Sequence, residues 1–193
     1  MRLGRTAIAA AALWAWASVD PLVGHAQESV VIDRVVMVVG DRLITASDVQ
    51  LEQALAAREP SPVVPLEAAR PQTLAFLRDV AIIRGMAGET AVYRPTQAEV
   101  RGRLDSLRAT WPDRASWEAF LQEHGLTPER LEALIFSRMV VERYVQRNVG
   151  LAARSAGEDR DAYVTRFNEW MIQQRLRVPV RILPQIESAR DSP

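Results

Sequence analysis

The chain offers few side chains that could act as catalysts. Its 193 residues include two histidines and no cysteine, and only His124 lies beyond residue 26. A histidine next to Gly125 at a predicted helix end suits a structural role, because a cation there complements the helix dipole. Glu129 and Glu132 stand at helical spacing, which is more often a solvated face than an acid–base pair. With no Ser-His-Asp order, zinc-ligand set or glycine-rich phosphate loop, the sequence predicts no enzyme, no metal site and no cofactor.

If the protein binds a partner, large apolar side chains of the central helices are the candidates for that contact. Aromatic rings bury much area, and methionine adapts its shape to varied partners. We take as candidate binding residues Trp111, Trp117, Phe120 and Met139. The alternative is that all four belong to the ordinary core, and the sequence leaves both interpretations open.

These candidates must be positioned by a fold that starts with the stretch from Val31 to Leu51. Val35–Val39 is rich in β-branched residues and predicts a strand. Gly40-Asp41 predicts a turn, and Leu43-Ile44-Thr45 a second strand. Ser47 and Gln50 have the spacing of a capping box, which predicts that a helix starts there. Such a hairpin is too apolar to stand alone and must be buried by the rest of the chain.

Helices are predicted for most of the chain beyond the hairpin. The first runs from Ser47 to about Arg58, and a proline-rich connector without regular structure follows at residues 59–65. The later helices are predicted at 71–93, from Thr96 to Trp111, around Trp117–Leu121, and from Thr127 to near Gly150. Thr96 with Glu99, and Thr127 with Pro128, are helix-start signals.

The C-terminal part is predicted to close the fold. A short linker at residues 151–160 leads to a helix from Asp161, and residues 177–183 have the composition of a strand. A lone strand needs a partner, so we expect residues 161–183 to pack back on the hairpin at residues 31–45. The sequence thus predicts a mainly α fold with a small β-sheet, in one domain at residues 27–183, and a disordered tail at residues 184–193.

Residues 1–26 have the pattern of a signal peptide, so we do not expect them to be part of the folded domain. Arg2 and Arg5 precede an uncharged run from Ala7 to Val19, and Gly24-His25-Ala26 offers small residues at the cleavage positions. The alternative is a retained anchor, but thirteen residues are short against the ~20 that a spanning helix needs. We therefore expect export to the periplasm, with no stable membrane insertion.

The charge balance argues against nucleic acid as a partner. Removing Arg2, Arg5 and Asp20 from 24 basic and 24 acidic residues leaves 22 against 23, which gives no basic field to attract phosphates. A helix-turn-helix centred on Gly125 is a weak alternative, since its second helix would present Glu129 and Glu132 to DNA.

Two blocks of sequence resemble the N-terminal domain of SurA-like periplasmic chaperones. In the first block the matching residues are Asp33, Val35, Val38, Gly40, Ile44, Thr45, Ser47 and Asp48. In the second block they are Phe120, Leu121, Gly125, Leu126 and Leu131, followed by Val140–Tyr144. The blocks stand in the family's order and together cover about three quarters of the chain beyond residue 26.

The resemblance implies a helical chaperone domain that binds unfolded or outer-membrane polypeptides without ATP. Larger relatives carry a parvulin-type prolyl isomerase domain after it, whereas this chain has ten residues, 151–160, at that place. A domain needs about fifty, so we expect no isomerase activity, and a separate isomerase or assembly subunit is a possible partner. Two alternatives stay open: a structural partner that binds one folded envelope protein and, more remotely, an isomerase with an unrecognised site.

Overall fold

The computed structural model describes residues 33–184, which are mainly helical and include a small antiparallel sheet. The strands are β1 (Val35–Val39), β2 (Arg42–Thr45) and β3 (Val180–Ile182). The helices are α1 (Ala46–Ala56), α2 (Val64–Ala69), α3 (Thr73–Ala87), α4 (Gln97–Arg108), α5 (Arg114–Glu123), α6 (Pro128–Val145), α7 (Leu151–Ser155) and α8 (Arg160–Arg175). The predicted signal peptide at residues 1–26 and all of the predicted tail except Pro184 lie outside the described residues.

The sheet joins the two ends of the described chain. Its order is β2-β1-β3, so β1 is the central strand and pairs antiparallel with both neighbours. Met37 lies opposite Ile44 on one side and Ile182 on the other. The predicted closure by an N-terminal hairpin and a C-terminal strand is confirmed. β3 is shorter than residues 177–183, although the Pro179 carbonyl still accepts a hydrogen bond from the Gly40 N–H at 2.9 Å.

The start of α1 differs from the sequence prediction. Thr45, not Ser47, caps the helix, since its hydroxyl accepts from the Asp48 N–H at 3.2 Å and the Asp48 carboxylate accepts from the Thr45 N–H at 2.9 Å. Ser47 lies inside the first turn, and its N–H donates to the Asp33 carboxylate at 3.2 Å. The helix begins earlier because strand β2 leads into it without a loop.

The proline-rich segment also differs from its prediction. Helix α2 begins at Val64, inside the predicted connector, with Pro65 in its first turn. Proline is tolerated there because the first amides of a helix have no carbonyl to bind. The caps predicted at Thr96 and Thr127 are both confirmed.

Gly150 does not end a helix as predicted. The chain continues from α6 through a wide π-type turn at Gln146–Gly150 into α7, and α8 begins at Arg160, so most of the predicted linker is helical. A Cβ atom at position 150 would lie only 2.8 Å from the Tyr163 hydroxyl oxygen of α8. A larger residue here would force the Tyr163 side chain to shift, so close packing and not a turn favours glycine.

The buried side chains form two clusters. The first, the sheet core, includes Met37, Val39 and Ile44 from the sheet with Phe167 and Met171 from α8. The second, the aromatic core, comprises Leu55, Val100, Leu107, Trp111, Trp117, Phe120, Leu131 and Ile135. Helix α6 takes part in both, because its N-terminal half packs in the aromatic core and its C-terminal half, with Val141 and Val145, in the sheet core. Within residues 33–184 no helix is both long and apolar enough to cross a membrane.

Candidate functional site

Three of the four candidate binding residues are packed against one another in the aromatic core. Trp111, Trp117 and Phe120 are 9%, 9% and 8% exposed. The ring centroid of Trp111 lies 4.8 Å from that of Trp117 and 4.8 Å from that of Phe120. Each such contact stabilises the fold by about 0.5–1.5 kcal/mol beyond the area buried. These rings therefore have a structural role, whatever else they do.

Two of these rings, those of Trp111 and Phe120, form the floor of a groove between α1 and α5. Trp111 and Phe120 line it together with Ala54, Pro112 and Ala119. The groove has a volume of about 620 Å³, which lies within the range of about 300–1,000 Å³ typical of ligand sites. Small side chains face it from both helices, Ala54 from α1 and Ala119 from α5, and this leaves room above the rings.

Polar side chains form the rim of this α1–α5 groove. Gln50, Gln53 and Arg58 line it from the α1 side, while Ser116 and Glu123 line it from α5. Glutamine amides both donate and accept hydrogen bonds, as does a peptide backbone. The groove thus combines an apolar floor with a rim that can pair with polar main-chain groups.

Two contacts hold the floor in place. The Arg58 guanidinium lies 4.5 Å from the Trp111 ring centroid, and its Nη1 donates to the Thr110 carbonyl at 3.0 Å. At the other end, His124 follows the last turn of α5, and its ring centroid lies 4.8 Å from that of Phe120. His124 thus lies at the helix end as predicted, and it also lines the groove.

Trp117 and Met139 do not line the groove. Trp117 packs behind Trp111 and Phe120, and its ring centroid is 5.9 Å from that of Phe120. Met139 of α6 is half-buried and packs against the aromatic core. The structure therefore brings all four predicted residues to one cluster, but only Trp111 and Phe120 reach its open side.

A second site, which the sequence analysis missed, is a ring of charged side chains between the two cores. Its carboxylates are Glu52, Glu59, Glu67 and Glu142, and its guanidiniums are Arg70, Arg103 and Arg138. Arg70 joins Glu67 to Glu52, Arg138 joins Glu52 to Glu59, and Arg103 joins Glu59 to Glu142. Acid and base thus alternate around what we call the charge ring.

Ser61 closes the charge ring between its two end carboxylates. Its N–H donates to Glu67 Oε2 at 2.7 Å, and its hydroxyl donates to Glu142 Oε1 at 2.9 Å. Arg103 Nη2 lies 3.4 Å from the same Glu142 oxygen. The ring therefore contains four acids and three bases, and a neutral serine occupies the place where alternation calls for a fourth cation.

Burial makes the charges of the ring depend on one another. Glu52 and Glu59 are each 5% exposed and Arg70 is 4% exposed, and removing one partner of such a pair costs about 3–5 kcal/mol. Burial lowers the pKa of Arg70, but Glu52 and Glu67 outweigh this effect and the net pKa is raised. Arg70 Nη2 lies 2.9 Å from Glu52 Oε1 without the alignment of a hydrogen bond.

Glu142 stands at one end of the ring and pairs with a single guanidinium, that of Arg103. Burial raises the pKa of its carboxyl group, and Arg103 and Ser61 offset only part of that rise. Beside it lies a cleft of about 80 Å³, partly open to solvent between α3 and α6. The cleft is lined by apolar side chains and by members of the charge ring: Leu66, Phe76, Leu77, Val80, Leu134 and Val141, with Glu52, Glu59, Arg70, Arg103 and Arg138.

Hydrophobic periodicity could not have found the charge ring. That method assigns glutamate and arginine to the solvent side of a helix, whereas these pairs join residues far apart in the chain, such as Arg138 and Glu52 at a separation of 86. The sequence carries only a weaker sign of the ring. Arg138 and Glu142 stand on either side of the apolar run Met139–Val141, in a part of the helix that is predicted to be buried.

Comparisons of the chain with protein-family models, with curated proteins and with solved structures found no match. Among residues 33–184 there is also no group of three or more histidine, cysteine, aspartate or glutamate side chains arranged to hold a metal ion.

Proposed function

We propose that this protein is a periplasmic, ATP-independent chaperone of the SurA type that binds unfolded or outer-membrane polypeptides and has no isomerase activity of its own. The observation that carries the proposal is the α1–α5 groove, about 620 Å³ in volume with Trp111 and Phe120 as its floor. Trp117 and Met139 support that floor from the core side.

The chemistry of the groove suits an extended polypeptide better than a small metabolite. An apolar side chain placed on Trp111 or Phe120 would leave water, while its backbone amide and carbonyl would meet Gln50 and Gln53 on the rim. Such contacts use features common to all polypeptides, and they favour breadth of recognition over tight, selective binding. The aromatic and aliphatic side chains that alternate along outer-membrane strands would fit this floor.

The resemblance to SurA-like proteins supports the proposal through its structural residues. Asp33 accepts the Ser47 N–H, Thr45 caps α1, and Gly40 and Gly125 adopt φ angles of 60° and 57° that suit glycine. These matching residues therefore shape the hairpin and the turn between α5 and α6, which together place the groove helices.

The test is suppression of aggregation. We expect the protein to lower light scattering from an outer-membrane protein diluted out of denaturant, and Ala119→Leu to weaken this effect by filling the groove. Leucine has a helix propensity close to that of alanine, and Ala119 is exposed, so the fold should be retained.

Ala133→Leu is the matched control, because Ala133 is an exposed helical residue of α6 that does not line the groove. Equal activity of the Ala119→Leu and Ala133→Leu proteins would exclude the groove as the binding site. No suppression by the unmodified protein would exclude chaperone function.

A second candidate function, a dedicated partner of one folded envelope protein, is favoured by a different surface. Large apolar side chains are exposed near the C-terminal end of α8 and around β3: Ile172, Leu176, Ile182 and Leu183. Single exposed hydrophobic residues are ordinary, whereas a contiguous apolar patch is typical of an interaction site. Stoichiometric capture of one folded protein, lost in Leu176→Glu but not in Ala119→Leu, would support this function instead.

A further inference from the structure

Three arginines line one pocket on the helical stretch that runs from α6 through the π-type turn into α7. The pocket has a volume of about 320 Å³, and its lining, which defines what we call the arginine pocket, is Val92, Arg143, Gln146, Arg147, Leu151 and Arg154. All but Val92 recur at the three- and four-residue intervals of one helix face. The π-type turn lies in the middle of this face, and turns of this kind are rare and frequent at functional sites.

The lining of the arginine pocket is positively charged. It includes no carboxylate from residues 33–184. Arg143 is held by an ion pair with Glu99 and donates to the Arg94 carbonyl at 2.8 Å. Arg147 and Arg154 are exposed, and neither forms an ion pair with any of residues 33–184. Three guanidiniums and the one carboxylate of Glu99 give a formal charge of +2.

Apolar side chains accompany these charges. Leu151 comes between Arg147 and Arg154 in the chain and is 50% exposed, and Val92, from the short 3-10 turn Ala91–Tyr93, is 48% exposed. The helix face therefore presents a cation, an apolar side chain and a second cation in that order. Guanidiniums bind carboxylates through paired hydrogen bonds, so the complementary ligand presents an acid, an apolar side chain and a second acid.

An extended polypeptide can present that order on one side. Alternate side chains of a strand lie on the same face, and two acids four residues apart are separated by about 13 Å. Arg147 and Arg154 are separated by about 10 Å along a helix axis, and their long side chains can span the difference. A lipid membrane suits the pocket less well, because two half-exposed apolar residues cover one side chain and not a set of acyl chains.

We propose that the arginine pocket binds an acidic segment of an extended polypeptide, with carboxylates on Arg147 and Arg154 and an apolar side chain on Leu151 and Val92. The argument is charge complementarity, because the acids supply the partners that these two guanidiniums lack within residues 33–184. The proposal rests on the proposed function, since it gives a bound polypeptide a second point of attachment, separate from the α1–α5 groove.

Two short peptides provide the test. Both are acetylated and amidated; one has the sequence Glu-Ser-Leu-Ser-Glu, and the other has glutamine in place of both glutamates. We expect the acidic peptide to bind the full chain about tenfold more tightly by isothermal calorimetry. Arg147→Gln and Arg154→Gln should each reduce this preference. Arg101→Gln should retain it, because Arg101 is an exposed arginine of α4 that does not line the pocket.

Equal affinity of the two peptides, no detectable binding of the acidic peptide, or a preference that survives both Arg147→Gln and Arg154→Gln would each overturn the proposal. Flotation with vesicles that contain phosphatidylglycerol tests the rival ligand. Vesicle binding that is lost in both variants, without a preference between the peptides, would overturn the proposal in favour of a lipid surface.

The aggregation assay separates this proposal from the proposed function. If the peptides bind alike while aggregation is still suppressed and Ala119→Leu still weakens the suppression, the arginine pocket is not a peptide site and the chaperone function stands. If the acidic peptide is preferred but the protein suppresses no aggregation, the pocket is supported as a peptide site and chaperone function is excluded.

Discussion

The sheet core and the aromatic core bury their apolar side chains in different ways. In the sheet core, Phe167 and Met171 are 1% and 0% exposed and lie among aliphatic side chains. In the aromatic core, the three rings at 8–9% exposure are packed on one another next to an open groove. One core therefore closes the fold, while the other stabilises it beside the open groove at which we propose that polypeptides bind.

The largest expected effect is on the sheet core. Phe167→Ala should lower the free energy of unfolding by about 4 kcal/mol, because a fully enclosed ring leaves a cavity that its neighbours cannot fill. Chemical denaturation followed by circular dichroism measures this loss. A loss below about 1 kcal/mol would mean that the sheet core collapses easily around the missing ring.

Removal of β3 should have the next largest effect. A chain ending at Leu176 loses the pairing with β1 and the contacts of Val178 and Val180 with the sheet core, and we expect a loss of about 3 kcal/mol. A chain ending at Pro184 is the control for the residues beyond the strand. If the shorter chain melted within a degree or two of the control, β3 would contribute nothing to the closure.

Phe120→Ala, the matching change in the aromatic core, should reduce stability less than Phe167→Ala and should reduce binding more. Phe120→Ala removes the same ring as Phe167→Ala, but the space it leaves opens to the groove and can fill with water, so we expect a loss of about 2–3 kcal/mol. Suppression of aggregation should fall further than for Phe167→Ala, when both are measured at a temperature where each is folded. Equal suppression of aggregation by the two variants would contradict the proposal that only the aromatic core takes part in binding.

The charge ring between the cores should show a smaller, pH-dependent effect. The pKa of Glu142 is raised in the folded state by burial, so this group contributes stability when it is protonated, and that contribution is lost as the pH rises through its folded pKa. We therefore expect the stability of the unmodified protein, relative to Glu142→Gln, to fall as the pH rises above the ordinary glutamate range. Parallel pH profiles in thermal melts would contradict this sign.

For prolyl isomerisation we expect the protein to have no effect on the rate. Neither core has an assembled histidine cluster, since His124 is the only histidine among residues 33–184. Uncatalysed isomerisation takes roughly tens to hundreds of seconds, so any acceleration of a short proline peptide would be easy to detect. An acceleration that survives His124→Ala would reveal a catalytic site elsewhere in the protein.

Features that depend on neighbours in the chain could be predicted from the sequence. Thr96 and Thr127 cap their helices as expected, because a cap needs only the next three residues. The sequence predicts the cap of α1 at Ser47, whereas the structure has it at Thr45. Thr45 with Asp48 and Ser47 with Gln50 have the same spacing, and only the end of β2 decides which pair caps the helix. The pairing of β3 with β1 was predicted because a lone strand requires a partner.

Features that depend on distant residues could not be predicted in this way. The aromatic pattern indicated Trp111 and Phe120, but the groove exists because Ala54 and Ala119, far apart in the chain, face the same space. The charge ring joins Arg103 to Glu59 across 44 positions. Neither feature leaves a periodic signal, so each becomes visible only once the helices are packed.

The position of β1 in the centre of the sheet has a consequence for the order of folding. One of its edges pairs with β2 within a few residues, whereas the other pairs with β3, near the far end of the described chain. Until β3 has formed, the N–H and C=O groups on that second edge have no strand to pair with and are left to water. Because contacts of such long range form slowly, we expect β1 to pair with β2 before it pairs with β3.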